Sequence, residues 1–121
     1  MRLWHKDLIS KLSNKHILGQ HRECAALRGN GWGRKHSTVD YVFTHPYSML
    51  YNYHKKIMQE MINRNYKVDP NWTIISYRGK KLNHDYSSFV FDNIVFIDYP
   101  EHNDEYYKEC VENLKRKGFE I

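Results

Sequence analysis

Glu23 is the residue whose surroundings most suggest chemistry. Residues 1–36 carry eight lysines or arginines, at positions 2, 6, 11, 15, 22, 28, 34 and 35, and two carboxylates, Asp7 and Glu23. So basic a stretch attracts polyanions by releasing their counterions. A carboxylate inside it weakens phosphate binding, so its presence asks for a reason. One reason is a surface ion pair with Arg22 or Lys15. The other is proton transfer at a deoxyribose or base, because a carboxylate beside basic groups can act as general acid or base. Other chemistries find less support. There is no phosphate-binding loop, nucleophile elbow or HExxH. The glycines of GNGWG do not match a dinucleotide fingerprint. His16/His21 and His16/Glu23 lack a third ligand at convincing spacing, so no metal and no cofactor is expected. Cys24 and Cys110 fall on apolar helix faces, which reads as core, and free thiols suit a reducing cytosol.

The elements that must position Glu23 follow from periodicity and punctuation. Residues 1–14 are either extended or hold one short helix from about Asp7 to Leu12. Residues 15–28 predict a helix with Ile17, Leu18, His21, Cys24 and Ala25 on one face. His16, Gly19, Gln20 and Glu23 share the opposite face. His16 and Glu23 are two turns apart there, with Gly19 between them leaving a small groove. The helix should stop at Gly29, Gly31 and Gly33, where glycine supplies left-handed cap geometry or lets the backbone approach another surface. The loop GNGWGRKHS then presents Trp32, Arg34, Lys35 and His36. Residues 38–44 read as a short strand or an extended link. Residues 47–66 are the longest helical candidate, with Leu50, Tyr53, Ile57, Met58, Met61, Ile62 and Tyr66 in one stripe, ended by Asp69-Pro70. In residues 71–100 the pair Ile74-Ile75 and the run 94–97 could be short strands or buried loop. Residues 104–117 predict a helix capped by Asn103 or Asp104 and stopped by Gly118. Three main helices with long connections make a mostly α fold.

Length and charge bound the function further. At roughly 100–200 residues per domain, 121 residues are expected to form one domain, residues 1–121. With 40% apolar and 15% aromatic residues there is material for a core. No apolar run approaches the roughly 18 residues of a membrane helix, and the N-terminus lacks a signal-peptide core, so a cytoplasmic location is expected. Residues 1–60 hold 10 basic and 4 acidic residues, a balance of +6, against 9 and 10 in residues 61–121, a balance of −1. The basic excess therefore belongs to the first half, where a nucleic-acid surface or merely a solvated one would lie. Trp32, in its glycine loop, could stack on a base as enzymes that extrude nucleotides require, or simply pack. Trp4 and Trp72 read as core.

The segment KHILGQHREC, followed by GNGWGRKHSTVDYVF, resembles the pyrimidine dimer DNA glycosylases of the phage T4 endonuclease V type. It is also similar, over nearly the whole chain, to their small bacterial relatives that begin MRLWH and carry LGQHREC and ALRGNGWG blocks. The resemblance implies an endonuclease V-like all-α fold and an activity as DNA glycosylase and AP lyase. It implies that the α-amine of the first residue attacks C1′ of the damaged nucleotide, releases the base and forms an imine. β-Elimination then nicks the strand, with a helix-borne glutamate supporting ring opening and proton transfer. That glutamate falls on Glu23, and the arginine before it on Arg22. The DNA-binding positions fall on Arg2, His16, Lys35 and His36 beside Arg34, with Arg28 an approximate counterpart of a further arginine.

The chemistry of the residues agrees with this. An α-amine has a pKa near 7.7–8.0, so a useful fraction is neutral and nucleophilic at physiological pH. Two features depart from the phage pattern. Arg2 is a large second residue, which blocks removal of the initiator, so the nucleophile would be the Met1 amine. The phage enzyme's basic aromatic tail is replaced by Gly118-Phe119-Glu120-Ile121. The expected partner is double-stranded DNA with a damaged base or abasic site, bound by a monomer, with no membrane. Two rival readings stand beside it: a non-catalytic nucleic-acid-binding module of the same fold, and a histidine- or metal-dependent nuclease.

Overall fold

The computed structural model of the chain describes residues 2–34 and 38–120. Its first long helix begins where Ser13 can cap it. The Ser13 hydroxyl accepts the His16 backbone N–H at 3.2 Å, and α1 runs Asn14–Arg28. The glycines that follow serve closeness more than handedness. Gly29 has φ −91°, so it is not left-handed. A Cβ there would lie 2.9 Å from the Arg78 carbonyl oxygen, and one on Gly31 would lie 2.7 Å from that of Ala26. Only Gly33 of the three takes positive φ, at 80°.

The second long helix, α2, runs Tyr47–Asn63 and is shorter than its apolar stripe suggests. Asn65 adopts φ 67°, and two bonds close a Schellman-type end: Tyr66 N–H to the Met61 carbonyl and Asn65 N–H to that of Ile62. Tyr66 thus lies beyond the helix, and Ile62 is exposed. Between α2 and the last helix lie a 3₁₀ turn, Pro70–Thr73, and the single turn α3, Ser88–Phe91. The last helix, α4, runs Asp104–Arg116 and ends by the same closure as α2, through Gly118 at φ 88°. Its start is the expected one, with Asn103 accepting the Tyr106 N–H at 2.9 Å.

The connecting segments contain no strand among the described residues. Residues 6–11 form a 3₁₀ helix, Lys6–Lys11, close to the short helix expected there. Residues 40–44 form another 3₁₀ helix where a strand or an extended link was the expectation. There, Val42 points inward and Tyr41 bonds His102 Nε2 at 2.9 Å, so burial against neighbouring elements overrides β propensity. The run 94–97 is neither strand nor buried. Its backbone is tied to the polar side of α2, with the Ser48 hydroxyl bonding both Val95 N–H and carbonyl at 2.9 and 2.8 Å. Val95 is thereby half-buried, while Ile94, Phe96 and Ile97 face outward.

The architecture is mostly α, with α1 packed on α2 and α4 closing the core through Cys110 and Leu114. Leu3, Leu8, Ile17, Leu27, Leu50 and Ile57 fill the interior, each worth about 1.5–3 kcal/mol of burial. Cys24 and Cys110 are free and buried, as core cysteines, and burial pushes the Cys24 thiol up.

Candidate active site

The extended residues 2–5, which lead into the 3₁₀ helix Lys6–Lys11, are the element on which the site depends. They pair with no strand, so their backbone groups need other partners. Side chains from three helices, and His102 just before α4, supply them. The Arg2 N–H faces the Glu23 carboxylate and favours its charged form. The Arg2 carbonyl accepts from Gln20 Nε2 at 2.8 Å, and the Trp4 N–H donates to Gln20 Oε1 at 2.9 Å. Tyr53 of α2 donates to the Trp4 carbonyl at 2.7 Å, and Tyr106 of α4 donates to that of Leu3. The Lys6 N–H donates to His102 Nδ1 at 3.2 Å. Residues 2–4 are therefore laced onto the polar side of α1, beside Glu23.

Beside this segment lies a groove of about 580 Å³, walled by α1, by Arg2 and Trp4, and by Asn113, Lys117 and Phe119 from the end of α4. Gly19 forms its floor, and a Cβ there would meet only Arg22 Nη2, at 3.9 Å. The residues predicted to meet do meet here: Arg2, His16, Arg22 and Glu23 all line the groove. Arg2, Lys15, Arg22 and Lys117 give the lining its positive charge, and Glu23 is its single carboxylate among the described residues.

Electrostatics then set protonation. Burial raises the Glu23 pKa above its ordinary value, against the opposing pull of the Arg2 N–H, Gln20 Nε2 and Arg22. A carboxyl group raised in this way suits proton exchange nearer neutrality. His16 is pushed below its ordinary value by burial and by the charges of Lys117 and Lys15, so it is neutral at physiological pH. Its Nδ1 lies 2.7 Å from the Ser13 hydroxyl, and its ring sits edge-on to Trp4 and Phe119. Arg2 and Lys117 both approach the Trp4 ring, at 5.7 and 5.5 Å from its centroid.

Other expected positions fall elsewhere. Arg28 is not at the surface, at 0% exposure. Its guanidinium donates to Tyr47 Oη, to His54 Nδ1 and to the carbonyls of Trp72, Ile74 and Tyr77. A phosphate contact is corrected to an internal cross-link, because every edge of the group is already occupied. Trp32 packs between Phe43, Tyr47 and Phe89 and is only partly exposed, so packing and not insertion describes it. Arg34 is exposed, with Nε donating to the Asn30 carbonyl at 2.9 Å, and does not line the groove. Met1, Lys35 and His36 lie outside the described residues. His21 and His54 come together at 2.8 Å, but their third neighbour is Arg28, a cation and not a metal ligand.

Sequence reasoning missed Gln20, which is 2% exposed on a face read as polar. It missed the α4 wall too, because Lys117 reads equally well as a helix-end charge. Only the basic cluster 115–117 hinted at it.

Comparison with known proteins bears on what this groove serves. No curated protein and no solved structure matches the chain. A family model described as pyrimidine dimer DNA glycosylase matches residues 1–74. The matched part holds the N-terminal segment, α1 and α2, hence Gln20, Glu23 and Tyr53, while the α4 wall lies beyond it. With more than half its length matched, the chain belongs to the pyrimidine dimer DNA glycosylase family.

Proposed function

We propose that the groove beside Glu23 is the site at which this DNA glycosylase removes a damaged base and then nicks the strand, with the α-amine of Met1 as nucleophile. The amine forms a bond to C1′ of the damaged nucleotide as the bond from C1′ to the base breaks. Glu23 assists opening of the sugar ring to the imine. Loss of a C2′ proton then expels the 3′ phosphate oxygen by β-elimination, which is the AP lyase step. Water finally hydrolyses the imine and frees the amine. Every step balances within enzyme, DNA and water, and none needs a cofactor.

One observation carries this reading. Gln20 Nε2 donates both to the Arg2 carbonyl at 2.8 Å and to Glu23 Oε2 at 3.0 Å, tying residue 2 to the groove's carboxylate. Met1 precedes Arg2 directly in the chain, so its α-amine is the nucleophile proposed for this groove. Arg2, Lys15, Arg22 and Lys117 would meet the phosphates of a duplex on either side of the extruded nucleotide. The whole chain would act as one domain and as a monomer, in the cytoplasm where DNA lies.

The test is Glu23→Gln, which keeps shape and hydrogen bonding but removes the ionisable group. Affinity for an abasic-site duplex should stay within a few-fold, while strand cleavage falls by on the order of 100-fold or more. Retained cleavage sinks the role of Glu23. A wild-type protein that binds damaged duplex without cleaving it supports the binding-module reading instead.

A further inference from the structure

Gln20 is a buried polar side chain with no free valence. Its Nε2 donates to the Arg2 carbonyl at 2.8 Å and to Glu23 Oε2 at 3.0 Å. Its Oε1 accepts the Trp4 N–H at 2.9 Å and faces the Tyr53 hydroxyl at 2.6 Å. The neighbours fix which end is which: two acceptors face the nitrogen, and the Trp4 N–H faces the oxygen. Tyr53 is itself buried, and its hydroxyl also bonds the Trp4 carbonyl. The amide thus joins the carboxylate, both ends of the Arg2–Trp4 segment and the neighbouring helix.

We infer that Gln20 is the positioning residue of the site, holding Glu23 and the start of the chain in one hydrogen-bonded frame braced from behind by Tyr53. The inference rests on the proposed roles of Glu23 and the Met1 amine. With both donors and the acceptor engaged inside the protein, Gln20 has nothing left with which to bind DNA. Its work is to hold the Glu23 carboxylate in register with the Arg2 backbone. The residue type follows from that task. Two acceptors on one side and a donor on the other demand a group with two N–H bonds and a carbonyl, on a stem long enough to reach from α1. Glutamate offers no pair of donors, methionine offers none, and asparagine is one methylene short. Neutrality matters too, since a second carboxylate beside Glu23 would disfavour ionisation of both.

Gln20→Glu and Gln20→Met, with Tyr53→Phe as a milder third variant, test this by two readouts. The first is the single-turnover rate of nicking an abasic-site duplex across pH. Gln20→Met should lose on the order of 10- to 100-fold in that rate, the range expected from small misplacement of reacting groups, while duplex affinity changes less than about 3-fold. Gln20→Glu should move the acid limb of the pH–rate profile upward by about one pH unit. Tyr53→Phe should move both in the same directions by less. The second readout is the titration of the Glu23 side-chain carboxyl followed by NMR, which needs no activity. Its midpoint should rise in Gln20→Met and rise further in Gln20→Glu.

Folded variants with wild-type rate, pH profile and Glu23 titration would overturn the inference. If Gln20→Met does not fold, Gln20→Glu and Tyr53→Phe decide by the same criteria. If the wild-type protein does not nick the duplex, the proposed function fails. The positioning of Glu23 by Gln20 then still stands or falls on the titration.

Discussion

Arg28 Nη1 donates to His54 Nδ1 at 2.9 Å, in a part of the core where both side chains are fully buried. A guanidinium cannot accept, so this bond places the His54 proton on Nε2, which lies 2.8 Å from His21 Nδ1. One buried cation therefore sets the tautomers of two histidines. Three aromatic faces surround it, Tyr47, Tyr51 and Trp72, with centroids 5.0 to 6.0 Å from the guanidinium carbon.

Replacing Arg28 should unfold the junction between α1, α2 and residues 72–77. Arg28→Met leaves the Trp72, Ile74 and Tyr77 carbonyls without their donor. Arg28→Lys keeps the charge but loses the planar fork. Each should cost on the order of 3–5 kcal/mol, read as a large drop in denaturant midpoint. A loss below about 1 kcal/mol in either variant would contradict the cross-link.

Stability should fall on mild acidification, and histidines are the cause. His102 bonds the Lys6 N–H and Tyr41 Oη, and burial holds its pKa at about 4. His54 is held well below its ordinary value, and His21 below its own, by burial and by Arg28. For a depressed histidine the unfolded chain takes up the proton first, so stability is full above about pH 6.5 and is lost as pH falls toward the folded pKa. For His102 the gap between 6.5 and about 4 is worth about 3 kcal/mol. Equilibrium denaturation at about pH 7.5 and about pH 5 should show the decline, and His102→Gln should flatten it. A pH-independent midpoint across that window would contradict the assignment.

Gly19 should be replaceable for folding but not for function. It sits inside α1, and a Cβ would meet only Arg22 Nη2 at 3.9 Å. Gly19→Ala should therefore raise stability by up to about 1 kcal/mol. Gly19→Leu should keep the fold and fill the groove, lowering cleavage of damaged duplex by on the order of 10-fold or more. Thermal melts with cleavage assays separate the two effects. Full activity in a folded Gly19→Leu protein would mean that DNA does not enter there.

Local signals make much of the fold and site legible in the sequence itself. Asn103 and Gly118 bracket α4 because a cap and a left-handed stop act within a few residues. Glu23 stands out because one carboxylate in a basic stretch is conspicuous whatever the fold. What escapes depends on distant partners or on an unusual residue choice. Asn65 takes the left-handed position usually filled by glycine, so α2 ends at Asn63, well before the proline expected to stop it. Gln20 looks like a solvent-facing residue because nothing local shows that residues 2–4 return to cover it. Arg28 looks like a phosphate ligand because composition cannot distinguish a surface cation from one enclosed by carbonyls and rings.

The central claim is that the chain's first amine, acting with Glu23, does the chemistry, and borohydride trapping tests it most directly. Untagged protein, shown by mass to carry a free Met1, is incubated with an abasic-site duplex and reduced, and the adduct is mapped by peptide. The account predicts a covalent protein–DNA species on the Met1 α-amine, much weakened in Glu23→Gln. An adduct on Lys15 or Lys117, or none at all, would contradict it.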